Sequence, residues 1–509
     1  MPRWSTFALP VVAAFAAAAC STPATPPADT SKKGPQQQGA AQPGSNGPQG
    51  WAGTAPSAEP PLEPAPPAGV KEGEVWIPEL PTMAEVAPPE GWVTSGPDVP
   101  PMPLTLLRLP RTHIVRAKYP AIDFHVHGRG LNTPEDYAKF VQVLDSIGMG
   151  AVVNLNGGTG ADLDASLKAG ADYQDRVVNF ITFTAEGINE PGWSEKFAAE
   201  MERAFKAGAQ GMNVSKQLGQ GAKNPDGTFI QADDPRLDAV WAMAAKYDKP
   251  VMIHTSDSIG RFYPVGPKNE RYEAGLWRQP GEMAGNLTDG GPSHEVIEKA
   301  RENMHRKHPK TRFVNAHMAM LYYDPQKLAT FLDTYPNADV EMSATLQDLG
   351  RAPRLWREFI IKYQDRVFMG SDGNPSRGAD EFWRPHWRYL ETYDEYFYHP
   401  AQIRTVGGSP GHGRWNISGI GLPDQVSQDL LHERPATPAV AQTVDREAVE
   451  GTTVLLIAAG LRAEQAGRQC SSSPACQRAA CGDASGAFRP ANCASIDPRS
   501  EGRYFSAFA

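Results

Sequence analysis

Ala121-Ile122-Asp123-Phe124-His125-Val126-His127 is a short apolar run that ends in two histidines set two positions apart. In an extended chain, side chains at i and i+2 leave on one face, so both imidazoles project together. Two neutral imidazoles held in this way are half of a zinc site, yet His-x-His arises often by chance and alone reads more readily as two polar side chains at a strand end. Three later runs end in a comparable way. Val251-Met252-Ile253-His254 and Phe313-Val314-Asn315-Ala316-His317 finish in histidine, and Val367-Phe368-Met369-Gly370-Ser371-Asp372 finishes in aspartate. Each by itself reads as a satisfied polar residue or a helix cap. Coincidence is the weaker explanation for all of them jointly.

Between these runs the pattern is that of strands alternating with helices, the signature of a parallel sheet covered by helices. Eight strands are expected, at Ala121–His127, Ala151–Leu155, Val177–Thr184, Gly211–Lys216, Val251–His254, Arg312–His317, Asp339–Ser343 and Val367–Ser371. Thr133-Pro134-Glu135-Asp136 opens a helix with a cap, a proline in the first turn and acids on the helix dipole. Asp234–Asp248, Asp324–Tyr335 and Ala352–Tyr363 read similarly. The predicted fold is an α/β barrel of the TIM type, (β/α)8, in which strand ends meet at the C-terminal rim where such enzymes build their sites. More than fifty residues separate His254 from Arg312, an excess that predicts a functional loop or lid.

The order His-x-His, histidine after strand five, histidine after strand six, aspartate after strand eight resembles the amidohydrolase superfamily. The stretches GAQGMNVSKQLG at 208–219, KPVMIHT at 249–255, RFVNAHMA at 312–319 and DRVFMGSDG at 365–373 are similar to its amidohydrolase-related branch, which holds metal-dependent hydrolases and nonoxidative decarboxylases. The resemblance spans about 117 to 425. It implies that His125, His127, His254 and Asp372 ligate one divalent ion, with His317 beside an open coordination position. Zn2+ suits three nitrogens and one oxygen best, and Mn2+ or Fe2+ are the rivals. Asp372 and His317 are the expected catalytic residues, the first accepting a proton from water, the second orienting that water or moving a proton. Lys216 stands where two-metal members of the superfamily carry a bridging carboxylated lysine. Here it reads as a cation for substrate or structure. Arg129 and Arg271, with Lys268, Asn269, Glu270 and His294, read either as grips for a substrate carboxylate or as a solvated loop surface. Trp277 and the aromatic-rich stretch 382–398 read as packing.

The remainder of the 509 residues sorts into appendages around the 117–425 barrel. Residues 1–20 resemble a lipoprotein signal, with charge at Arg3, an apolar run from Phe7 to Ala19 and small residues leading to a lipidated Cys20; an ordinary secretory signal is the alternative. Both readings export the chain. Residues 21–70 are rich in Pro, Ala, Gly, Gln and Ser and predict a disordered tether, whereas 71–116 carry enough apolar side chains to pack on the barrel. In 426–509 the pattern dissolves. Pro435 and Pro438 break the helix expected to close the barrel, and Cys470, Cys476, Cys481 and Cys493 match no zinc template. A frame shift near Ser427 and a genuine disulfide-bearing extension are the two explanations. A net charge of −9, without a long basic run, excludes nucleic acid as a partner.

The expectation is therefore a metal-dependent hydrolase of a small ester, lactone or amide, touching membrane only through its lipid anchor, with a homodimer left open. Its alternatives are a nonoxidative decarboxylase of an aromatic or unsaturated acid, and a non-catalytic binding lipoprotein.

Overall fold

Each of the eight apolar runs forms a strand, and each strand is followed by a helix. In chain order the strands are β1 (Ala121–Val126), β2 (Met149–Asn154), β3 (Val177–Asn179, resumed at Ile181–Thr182), β4 (Met212–Val214), β5 (Val251–Ile253), β6 (Phe313–Asn315), β7 (Ala338–Glu341) and β8 (Val367–Phe368). The helices are α1 (Pro134–Ser146), α2 (Gly160–Ala169), α3 (Trp193–Ala207), α4 (Asp238–Lys246), α5 (His294–Lys307), α6 (Pro325–Thr334), α7 (Pro353–Lys362) and α8 (Arg384–Glu391). Their starts follow local chemistry. Thr133 and Asp136 form a reciprocal capping box ahead of α1, while Ser293 and Asp324 cap α5 and α6.

The computed structural model describes residues 65–86, 104–264, 268–271, 291–374, 383–399, 415–428 and 430. Cys20 and the export signal, the tether up to residue 64, Trp277, and the tail with its four cysteines lie outside the described residues.

All neighbouring barrel strands pair in parallel and in sequence order. Two ladders meet in β3, where Phe180 N donates to Asn154 O at 3.0 Å and Ile181 N to Gly211 O at 2.9 Å. The ring then closes between β8 and β1. A parallel bridge joins Val126 to Gly373, Phe124 N donates to Met369 O at 2.9 Å, and His127 N donates to Gly373 O at 2.8 Å. Closure pairs both edges of every barrel strand.

Inside the ring Phe124 stacks on Phe368 with centroids 5.0 Å apart and meets Phe180 edge-on at 6.0 Å, among Val153, Val178, Met252 and Val314. Outside it, Val126, Val152, Val340 and Val367 pack with Phe140, Leu144, Phe331, Trp356 and Trp387 of the helices. The segment before the barrel contributes a short antiparallel ladder, Val75–Trp76 with Arg111–Thr112. It is tied to the body by Thr112, whose backbone N and hydroxyl both donate to Asp394. Among the described residues no helix is long and apolar enough to cross a membrane.

Candidate metal centre

β1 does not alternate evenly. From Asp123 to Val126 it takes three steps where its partner takes two, from Val152 to Asn154, so one extra residue is inserted as a bulge. The bulge lets Phe124 face the interior while Val126 joins the helical layer, and His125 and His127 both reach the rim. Asp123 anchors this irregular backbone. Its buried carboxylate accepts from His125 N at 2.9 Å, Ser371 N at 3.0 Å, the Ser371 hydroxyl and Trp383 Nε1 at 2.7 Å, linking β1 to the end of β8 and to α8. Burial outweighs those bonds and holds the carboxyl up at about 6.

The rim then gathers the expected side chains. Asp372 Oδ1 lies 3.4 Å from His125 Nε2 and 3.0 Å from His127 Nε2, and ligand atoms of these three residues all fall within 4.8 Å of one another. On their far sides both imidazoles are committed. His125 Nδ1 sits 3.0 Å from Glu341 Oε1, and His127 Nδ1 sits 2.6 Å from Asn156 Oδ1. An acceptor at each Nδ1 places the ring proton there, so two Nε2 lone pairs point at one carboxylate oxygen. Such an arrangement needs positive charge between the atoms. The same demand appears in the titration of His125: burial pulls it down, but Glu341 and Asp372 prevail and hold it up at about 9. Asp372 is held far below the ordinary carboxylate range, because the imidazoles around it outweigh its burial. A divalent ion is a charge that this donor set fits.

His254 enters the cluster through His317. The two rings meet edge-on with centroids 4.3 Å apart, and His317 Nε2 lies 3.3 Å from His254 Nδ1. His254 Nε2 is sealed from solvent and has no hydrogen-bond partner among the described residues, as expected of an atom reserved for a ligand. Burial, aided by His317 and Lys216, pushes its pKa well below the usual value, so it is neutral and able to ligate. His254 is not part of the tight group formed by His125, His127 and Asp372.

His317 is held from three sides. Its Nδ1 donates to Ser343 O at 2.8 Å, its backbone N donates to Glu341 Oε1 at 2.8 Å, and its own φ of 56° is left-handed. Met318, Ala319 and Met320 share that conformation. Each non-glycine residue there costs roughly 1–2 kcal/mol, so surrounding contacts must impose the turn. Burial lowers the His317 pKa despite the opposing field of Glu341, leaving a neutral ring whose Nε2 is the basic atom.

Glu341 is the hub that sequence reading passed over. Fully buried on β7, it accepts from His125, from the His317 backbone, and from the backbone N and hydroxyl of Ser343 at 2.7 and 2.8 Å. His125 overcomes its burial and holds it at about 2, so it stays ionised. It forms with His125 and His317 a second group whose ligand atoms all lie within 4.8 Å of one another, and its hydrogen bonds orient both rings. Carboxylates at alternate positions of a buried parallel strand, Asp339-Val340-Glu341-Met342, were the available signal for it, and Asp123 in Ala121-Ile122-Asp123-Phe124 was a similar one.

Of the expected substrate cations, Lys216 lies near enough to His254 to help lower its pKa. Lys216 Nζ pairs with Asp257 Oδ1 at 2.8 Å, and Arg261 Nε approaches the same oxygen at 3.9 Å. Arg271 is buried, bonding Asp348 at 2.5 Å and the Tyr322 hydroxyl at 3.2 Å. It clasps the long loop after β5 to the short helix Leu346–Leu349. Arg129 is exposed just beyond β1.

A closed barrel that gathers histidines and carboxylates at its C-terminal rim has the layout of a barrel enzyme, with donor groups that could hold a metal ion. The amidohydrolase family model matches residues 113–436, and the chain belongs to that family, whose members are enzymes. No curated protein matches it. Among solved structures it is similar to 2,6-dihydroxybenzoate decarboxylase from Rhizobium (12% identity, 64% of this chain and 98% of that one, TM-score 0.37). It is likewise similar to 4-oxalomesaconate hydratase from Rhodopseudomonas palustris (12%, 64% and 98%, TM-score 0.35). A third is an uncharacterised TIM-barrel protein from Bordetella bronchiseptica (16%, 52% and 89%, TM-score 0.33). Likenesses this remote do not identify a reaction.

Proposed function

We propose that the protein is a metal-dependent hydrolase that directs water onto a small ester, lactone or amide. The observation that carries this reading is the convergence of two imidazole lone pairs on the Asp372 carboxylate, with both opposite ring nitrogens already tied to Glu341 and Asn156. A divalent ion bound there, Zn2+ by its match to imidazole and carboxylate donors, would supply a Lewis acid able to activate water near neutral pH. His125, His127, His254 and Asp372 would hold it. Glu341 keeps the His125 ring proton on Nδ1 and so keeps Nε2 free to ligate. His317, with its Nδ1 proton fixed on the Ser343 carbonyl, takes and returns a proton at Nε2.

Purified, zinc-loaded protein assayed on panels of esters, lactones, amides and carboxylic acids tests the proposal. Hydrolysis is expected, and His317→Ala lowers turnover by about 10²–10⁴-fold while retaining zinc. Release of carbon dioxide from an acid would make it a decarboxylase instead. Zinc loss in that variant would make His317 a ligand. We also propose that the chain is exported and held at a membrane by a lipid on Cys20.

A further inference from the structure

We propose that Arg301 is a positioning residue: from the outer helix α5 it holds the carbonyl of Ala319, and thereby fixes the left-handed turn 317–320 that presents His317 to the metal centre. Three observations meet here. The first is the guanidinium itself, which is 3% exposed and has no carboxylate within ion-pair distance among the described residues. Two acids of its own helix, Glu298 and Glu302, act on it only through space, and Glu298 is occupied by Lys327 at 2.6 Å, His294 at 3.1 Å and Tyr323 at 3.2 Å. A buried cation without a direct ion pair is costly to keep, and an apolar side chain would pack there more cheaply unless the charge performs a task. The second is where its hydrogen bond goes: Nη1 donates to Ala319 O, a buried carbonyl.

The third is the turn that carries this carbonyl. His317, Met318, Ala319 and Met320 have φ between 53° and 56°, and none of them is glycine or asparagine, so the residues do not choose this conformation themselves. Within the turn, Met320 N donates to His317 O at 2.8 Å and Leu321 N to Met318 O at 3.0 Å. Those bonds use the carbonyls of His317 and Met318, and Ala319 O is taken by Arg301. The Arg301 guanidinium also lies 5.0 Å from the Phe331 ring centre, against α6, which holds it between two outer helices. Arg301 touches no reacting atom and acts only through the turn. The inference rests on the proposed role of His317 for its consequence in turnover, but not for the positioning itself.

The test uses the full chain with zinc added and its histidine rings labelled with 15N. Two ring-proton signals are compared: that of His317 Nδ1, bonded to Ser343 O, assigned with His317→Gln, and that of His125 Nδ1, bonded to Glu341, as internal reference. In Arg301→Met and Arg301→Gln the His317 signal is expected to shift or to exchange with water at least about tenfold faster, corresponding to a loss of roughly 1.4 kcal/mol of protection. The His125 signal and the zinc content stay at wild-type values. Arg301→Lys, which keeps a donor for Ala319 O, restores the His317 signal. The proposal is overturned if the neutral variants leave the His317 signal unchanged, if both signals vanish together with the zinc, or if even the lysine variant fails to fold. A wild type that takes up no zinc would instead refute the functional reading, since the same comparison of ring signals runs without metal.

Discussion

His305, on α5, gives a residue-scale test of what burial does to charge. Its ring lies against Phe313 and Phe331 with centroids at 5.0 and 5.2 Å, its Nε2 is 3.3 Å from Asn315 Oδ1, and burial holds its pKa down at about 3 against an ordinary 6.5. The unfolded chain therefore takes up a proton below about pH 6.5 that the folded chain refuses until about pH 3. This contribution is complete above pH 6.5 and is lost as the pH falls through that window, by at most about 1.4 kcal/mol per pH unit. Urea unfolding of His305→Gln at several pH values between 7 and 4 should show a shallower acid loss than wild type, and equal slopes would refute the assignment. Of the residues gathered at the rim, the histidines and Asp372 were legible because each closes an apolar run. Glu341 was not, since it lies inside its run and its partner His125 is 216 positions away in sequence.

At the scale of elements, strand order and helix starts followed from periodicity and capping, and all eight predicted strands formed within a few residues of their expected limits. What could not be read was irregular backbone. The β1 bulge and the left-handed turn after β6 arise from tertiary contacts, and neither carries the glycine that marks such geometry in sequence. Gly370 is different. A Cβ added there would overlap Glu341 Oε2, so the end of β8 needs glycine to let the β7 carboxylate lie beside it. Gly370→Ala should displace Glu341, and zinc titration should find affinity about 10–100-fold weaker although no ligand has changed. An unaltered dissociation constant would show that Glu341 has no hold on the centre.

The whole molecule joins a barrel whose site faces its C-terminal rim to a long N-terminal stretch rich in Pro, Ala and Gly. If that stretch is a tether, Cys20→Ser should move the enzyme from the membrane fraction to the soluble exported fraction without altering its specific activity; an unchanged distribution would dismiss the lipid anchor. The barrel was legible as a whole because its helices and strands repeat in one order, and its closure became evident only in the bonds from β1 to the end of β8. The most direct test is elemental analysis of the full chain purified without chelators, beside His125→Ala. One tightly held divalent ion per wild-type chain, lost in the variant, is the predicted result. A wild type that carries no stoichiometric metal, and takes none up from added Zn2+, Mn2+ or Fe2+, would contradict it.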